Sequence, residues 1–167
     1  MYTDDDIAEV AARVARLLEA RGVRLATAES CTGGWISKSL TDIPGSSDWF
    51  ECAFVTYRLS AKTSMLGVSP ETLRRFGAVS EPTAREMVVG AIKRSDADIA
   101  VSVTGVAGPS GGDMLSPVGM VWFAWAVREA DRDIRVVQTE CREIDGARND
   151  VRIAATEIAL KGILKAL

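Results

Sequence analysis

The run Ala28-Glu29-Ser30-Cys31-Thr32-Gly33-Gly34 places two nucleophile types beside two glycines. It follows an apolar stretch, 23–27, and precedes a helical apolar pattern, so it is predicted to be a turn between strand and helix. Such a turn exposes side chains at the carboxyl edge of a sheet and directs backbone N–H groups at developing negative charge. Ser30 is therefore a candidate nucleophile, and Cys31 is a rival. A helix cap at Ser30 or Thr32 explains the same local pattern and is the commoner use of these residues.

The base that such a nucleophile needs cannot be a histidine, because the chain has none. This excludes a Ser-His-Asp triad, a Cys-His pair and the HExxH zinc motif. Lys62 is a candidate, since it follows Val55-Thr56-Tyr57 at the predicted junction of a strand and a helix. Its pKa would have to fall from about 10.4 to about 7 or 8, through burial or a nearby charge such as Arg58. An exposed lysine is the alternative, and only proximity to Ser30 decides between them.

A glycine-rich segment, 104–112, follows the apolar run 97–103. It lacks the Lys-Ser/Thr ending of a Walker A loop and the spacing of a GxGxxG fingerprint, which argues against ATP and dinucleotides. Its N–H groups could still form a nest for a phosphate or carboxylate, although an ordinary surface loop is the alternative. The candidate binding residues here are Thr104, Gly105, Gly108, Ser110, Gly111 and Gly112.

The pattern along the chain alternates strands with helices. Predicted strands cover 23–27, 50–57, 97–103, 118–127 and 134–141, the last two as a hairpin. Predicted helices run from Thr3 to Gly22 and begin near Trp35, Ser60, Ser69, Ser80 and a cap at Asp145. This order predicts an α/β fold, a three-layer α/β/α sandwich on a mixed, mostly parallel sheet, in one domain over 1–167.

The bulk composition is that of a folded globular chain, with 167 residues, 47% of them hydrophobic and 26% charged. A net charge of −3 without a basic cluster argues against nucleic acid as a partner. The first six residues, Met1 to Asp6, are acidic, and no apolar run approaches the ~20 residues of a membrane span. We therefore expect a cytoplasmic protein without membrane contact.

Two groups of side chains receive a structural interpretation. Three cysteines without CxxC spacing argue against a disulfide framework and a zinc site, and Cys52 and Cys141 are expected to be buried. Arg148 and Arg152 lie one helical turn apart and are expected on a solvated face.

Four motifs in order resemble those of the CinA C-terminal domain family, the nicotinamide-nucleotide amidohydrolases. They are AESCTGG, VTY followed by AK and LGV, TGVAGPSGG and PVGMVWFA. The resemblance runs from about Leu25 to the terminal helix. It implies hydrolysis of the carboxamide of nicotinamide mononucleotide to nicotinate mononucleotide and ammonia, without a metal or cofactor. It also implies that Ser30 is the nucleophile and that Lys62 and Tyr57 assist it.

In the mechanism expected from this resemblance, Lys62 accepts the Ser30 proton and Tyr57 relays or orients the transfer. N–H groups near Cys31, Thr32, Gly33 and Gly34 or Gly105 hold the oxyanion, and the turn at 110–112, with Arg148, takes the phosphate. The larger CinA proteins carry a further N-terminal domain, so a stand-alone form is expected here. Whether the chain forms a homo-oligomer is left open.

The sequence departs from the family pattern at Arg58-Leu59-Ser60, Ser116 and Met120. The departures around Arg58 and Ser116 motivate an alternative, a catalytically silent module that binds nucleotides or a protein partner. A third hypothesis is an amidase for another small carboxamide.

Overall fold

The structure, a computed structural model, describes residues 3–167 and has a five-stranded sheet between two layers of helices. The strands are β1 (Leu25–Glu29), β2 (Phe50–Val55), β3 (Ile99–Gly105), β4 (Met120–Arg128) and β5 (Ile134–Glu143). The helices are α1 (Asp4–Arg21), α2 (Trp35–Thr41), α3 (Leu59–Leu66), α4 (Pro70–Phe76), α5 (Glu81–Lys93) and α6 (Arg148–Ala166), with a short 3₁₀ helix at Ser46–Asp48. Met1 and Tyr2, part of the acidic start considered above, lie outside the described residues.

The strand order is β2-β1-β3-β4-β5. β1 pairs in parallel with β2 and β3, whereas β4 is antiparallel to both β3 and β5. Every strand except β4 therefore ends at the same edge of the sheet. One apolar core joins α1, α2 and α6 to one face, and a second joins α3, α4 and α5 to the other. The predicted α/β fold is confirmed.

β1 is buried along its whole length because it has a strand on each side and helices over both faces. Ala26 and Ala28 face α5, where small side chains allow the helix to lie close to the sheet. α5 in turn meets the end of α3 at Gly90, where an added Cβ would lie 2.0 Å from the carbonyl oxygen of Leu66. Gly90 therefore lets α3 pack directly on α5, and α3 carries Lys62.

Helix ends agree with the sequence where a cap residue is present. Thr3 and Asp6 cap α1 reciprocally, and Gly22 ends it in the left-handed region at φ 61°, as predicted. The predicted cap of α6 at Asp145 is wrong. The helix begins at Arg148, and its N-cap residue is Ala147, whose N–H donates to the carboxylate of Asp150.

Two other expectations are corrected by the position of the strands. β1 covers 25–29 rather than 23–27, because its partners on β2 and β3 lie opposite those residues. Cys52 and Cys141 are only partly buried, since β2 and β5 are the outer strands of the sheet. Within residues 3–167, no helix is long and apolar enough to cross a membrane.

Candidate active site

The backbone at the carboxyl edge of β1 and β2 is fixed by hydrogen bonds that continue the sheet past both strands. The N–H of Ser30 donates to the carbonyl of Val103 on β3 over 3.0 Å. The N–H of Thr56 donates to the carbonyl of Glu29 over 2.8 Å. These two bonds determine where Ser30 and the carbonyl of Thr56 lie.

Ser30 and Lys62 meet at this edge, although 32 residues separate them in the sequence. The Nζ atom of Lys62 donates to the Oγ atom of Ser30 over 2.9 Å and to the carbonyl of Thr56 over 2.6 Å. The Lys62 side chain is 1% exposed and Ser30 is 8% exposed. The predicted lysine is therefore not on a solvated face but forms a buried pair with the predicted nucleophile.

Burial lowers the pKa of Lys62 from 10.5 to about 8, because the charged ammonium loses its hydration. The nearby Cys31 has a smaller, opposing effect on this pKa. Arg58 is exposed and is not among the causes of the shift, so the expected help from its charge is not observed. An appreciable fraction of Lys62 is therefore neutral near pH 7, and the neutral amine is the form that can accept a proton.

The rival nucleophile Cys31 lies in a different environment. Its side chain is 3% exposed, and burial raises the pKa of its thiol to about 12. A thiol is nucleophilic as the thiolate. The structure therefore favours Ser30 over Cys31.

Arg148 connects two parts of the predicted site. Its guanidinium donates to the carbonyl of Gly108 over 2.6 Å and to the hydroxyl of Tyr57 over 2.9 Å. Arg148 is exposed, as expected, but it has these two partners because α6 starts at the same sheet edge. Tyr57 is 59% exposed, and among residues 3–167 its hydroxyl has no hydrogen bond to Ser30 or Lys62.

The glycine-rich segment, 104–112, lies at this edge of the sheet, and only part of the segment is exposed to solvent. The Thr104 side chain is buried and its hydroxyl donates to the carbonyl of Ala78, which turns it away from any ligand. Gly105 lies against β4, where an added Cβ would be 2.7 Å from a backbone oxygen. Residues 110–112 are exposed, and phosphate binding there stays a prediction.

The N–H groups of the Ser30 turn are largely used within the protein. The N–H of Gly33 donates to the carbonyl of Ser30, and the N–H of Gly34 donates to the Glu29 carboxylate. Thr32 is fully buried and its hydroxyl also donates to Glu29. Within the part of the chain that the structure describes, no oxygen accepts from the N–H of Cys31 or Thr32. Both N–H groups lie close to the Cys31 sulfur, which is a weak acceptor.

Sequence reasoning gave no role to Glu29 and placed Arg152 on a solvated face. Arg152 instead donates to the carbonyls of Cys31 and Thr32 over 3.1 and 3.0 Å. Its guanidinium also lies 5.0 Å from the centre of the Trp35 ring. Two features of the sequence could have indicated these roles. One is a glutamate in a strand that is otherwise uncharged, and the other is a second arginine one helical turn after Arg148.

Comparison with known proteins decides the family. The sequence model of the protein family described as CinA C-terminal domain matches residues 7–167 of the chain. The chain belongs to the CinA C-terminal domain family. Within residues 3–167, no group of three or more Cys, Asp or Glu side chains could hold a metal ion.

Within the CinA C-terminal domain family, curated relatives include short and long proteins. Nicotinamide-nucleotide amidohydrolase PncC of Escherichia coli (strain K12) is 49% identical over 159 residues, covering 95% of this chain and 93% of that protein. A CinA-like protein of Chlorobium phaeobacteroides (strain BS1) is 45% identical over 100% of this chain, which spans 39% of its length.

Solved structures of the family share the fold. The competence/damage inducible protein CihA of Agrobacterium tumefaciens is 43% identical, with a TM-score of 0.89 over 96% of this chain and 95% of that one. A competence-damaged protein (CinA) superfamily protein of Escherichia coli is 36% identical, with a TM-score of 0.90 over 100% of this chain and 94% of that one.

Proposed function

We propose that this protein hydrolyses the carboxamide of nicotinamide mononucleotide to give nicotinate mononucleotide and ammonia. The observation that carries the proposal is the buried hydrogen bond between Lys62 and Ser30, in a chain 49% identical to a nicotinamide-nucleotide amidohydrolase. A serine with a neutral amine as its base can perform amide hydrolysis without histidine. The substrate would be a pyridine nucleotide, and the reaction would need no metal.

The first step in the proposed mechanism is proton transfer from Ser30 to neutral Lys62 as Oγ attacks the carboxamide carbon. The tetrahedral intermediate collapses when the Lys62 proton passes to the leaving nitrogen, so ammonia departs and an acyl-enzyme remains. Water then attacks the ester with Lys62 again as base, which releases the carboxylate and restores Ser30. Assistance by Tyr57 stays a prediction, since its hydroxyl binds Arg148 in this structure.

The oxyanion of both steps would be held by the N–H groups of Cys31 and Thr32. The N–H of the residue after a nucleophilic serine has this role in other strand-to-helix turns. Removal of one such donor in known enzymes costs roughly 3 to 4 kcal/mol of transition-state stabilisation. The phosphate would lie at residues 110–112, with Arg148 as its cationic partner.

The proposal is tested by measuring ammonia release from a panel of carboxamides. We expect turnover of nicotinamide mononucleotide and much lower kcat/KM for nicotinamide riboside, which lacks the phosphate, and for nicotinamide. A preference for a carboxamide without phosphate would indicate a different amidase. Tight binding of the mononucleotide with no ammonia from any compound would indicate a silent binding module.

The pH profile is a second prediction. Because the neutral form of Lys62 is the base, kcat/KM should rise with pH and level off above the pKa of about 8. The chain has no histidine, so the side chains that usually titrate between about pH 5 and 8 do not complicate the profile. A steady-state profile from pH 6 to 10 measures this. Activity that falls as pH rises through 8 would contradict Lys62 as the base.

A further inference from the structure

Glu29 is a fully buried carboxylate next to the proposed nucleophile. Two threonine hydroxyls and three backbone N–H groups donate to it, and no lysine or arginine side chain among the described residues is its partner. The donors are the hydroxyls of Thr27 and Thr32 and the N–H groups of Gly34, Ile36 and Ser37. A buried carboxylate is tolerable when its oxygens are saturated with donors in this way.

The three N–H donors belong to the N-cap residue and the first turn of α2. The first N–H groups of a helix have no partner within the helix, and they commonly bind an anionic ligand. Here the protein supplies its own anion, and Glu29 has no exposed surface with which to reach a substrate. The start of α2 is therefore held from inside, and its position relative to β1 is fixed.

The backbone of Glu29 is also connected to Lys62 by hydrogen bonds. The carbonyl of Glu29 accepts from the N–H of Thr56, and the carbonyl of Thr56 accepts from Lys62. Successive side chains of a strand point to opposite faces, so Glu29 points towards α2 while Ser30 points towards α3. Glu29 thus connects the turn that carries the nucleophile with the backbone that holds the base.

We propose that Glu29 is a positioning residue for the Ser30 turn. Its carboxylate occupies the N–H groups at the start of α2, so that the Oγ atom of Ser30 faces Lys62. This inference rests on the proposed function, because it assigns a task relative to the Ser30 nucleophile.

The test is the rate at which Ser30 is labelled by an alkyl fluorophosphonate, followed by intact mass. In this reaction Oγ attacks phosphorus, fluoride leaves, and the serine proton passes to Lys62. Glu29→Gln keeps the shape of the side chain but places an NH₂ group against at least one backbone N–H in either orientation of the amide. We expect labelling to slow by about 100-fold, the effect of a displacement of about 1 Å.

The chain offers a matched control. Glu86 also accepts from a backbone N–H and a threonine hydroxyl, those of Ser69 and Thr72, and it lies away from Ser30 on α5. Glu86→Gln should lower the midpoint of thermal unfolding but leave the labelling rate within about twofold of wild type. A folded Glu29→Gln protein that is labelled as fast as Glu86→Gln would overturn the positioning role.

A milder pair of variants covers the case in which Glu29→Gln does not fold. Thr32→Val removes one donor to Glu29, and Thr72→Val removes the equivalent donor to Glu86. Labelling should slow by about tenfold in Thr32→Val and stay near wild type in Thr72→Val. Equal rates in the two proteins would overturn the inference. Failure of the wild type itself to be labelled at Ser30 would instead overturn the proposed nucleophile.

Discussion

Ser30→Ala is expected to abolish ammonia release from nicotinamide mononucleotide, with a loss of at least about 10³-fold in kcat. Oγ is the only atom that this substitution removes, and it is the atom that Lys62 contacts at 2.9 Å. No other nucleophile at the turn can replace it, because the pKa of Cys31 is raised to about 12. A coupled assay for ammonia measures the loss, and circular dichroism verifies that the protein remains folded.

Cys31→Ala is the control for this prediction. The thiol is part of the apolar core, so the substitution should cost about 1 kcal/mol of unfolding free energy while most of the activity remains. The opposite pattern, an active Ser30→Ala and an inactive Cys31→Ala, would transfer the role of nucleophile to Cys31.

Lys62→Met should remove turnover and yet leave the protein at least as stable as wild type at pH 7. The buried ammonium is a cost to the native state, since a fall in pKa from 10.5 to about 8 corresponds to about 3 kcal/mol. Methionine fills similar space without a charge, although it leaves the carbonyl of Thr56 without its donor, at a cost of about 1–3 kcal/mol. Ammonia assays and urea denaturation measure the two effects.

The pH dependence of the free energy of unfolding distinguishes the removal of a buried charge at Lys62 from a change in side-chain packing alone. Between about pH 8 and 10.5 the unfolded chain retains the Lys62 proton that the native protein has lost, so wild-type stability rises with pH in this window. Below about pH 8 both states are protonated, and the full cost of the buried charge is present. Lys62→Met should lack the rise. Parallel curves for the two proteins between pH 7 and 10, or full activity of Lys62→Met, would contradict the assignment of the base.

The elements that could be predicted from the sequence are those specified by neighbouring residues. α1 has its capping threonine, its apolar period and its terminal glycine within one short segment, and the structure places it accordingly. The cap of α6 could not be predicted in this way, because Ala147 occupies it and Asp150 supplies the acceptor from inside the helix.

The candidate site could likewise be predicted from the sequence only in part. Residue type offered Ser30, Lys62 and the glycine-rich segment as candidates, and the resemblance of the motifs to a known family implied an amide hydrolase without histidine. The sequence could not show that Arg148 bridges Tyr57 and Gly108, because those contacts span 91 and 40 residues. A glutamate in an uncharged strand also did not by itself show that Glu29 takes the N–H of Gly34, a predicted donor to the oxyanion.

The sequence by itself determined the alternation of strands and helices and the exclusion of histidine chemistry, since these depend on residue type and local period. It offered Ser30 as a candidate nucleophile but did not separate it from Cys31 or from a helix cap. Only the tertiary structure decided that Lys62 is buried against Ser30 with a pKa of about 8. A pKa depends on the solvent and charges around a group in space, and that environment comes from the packing of β1, β2 and α3 rather than from neighbours in the chain.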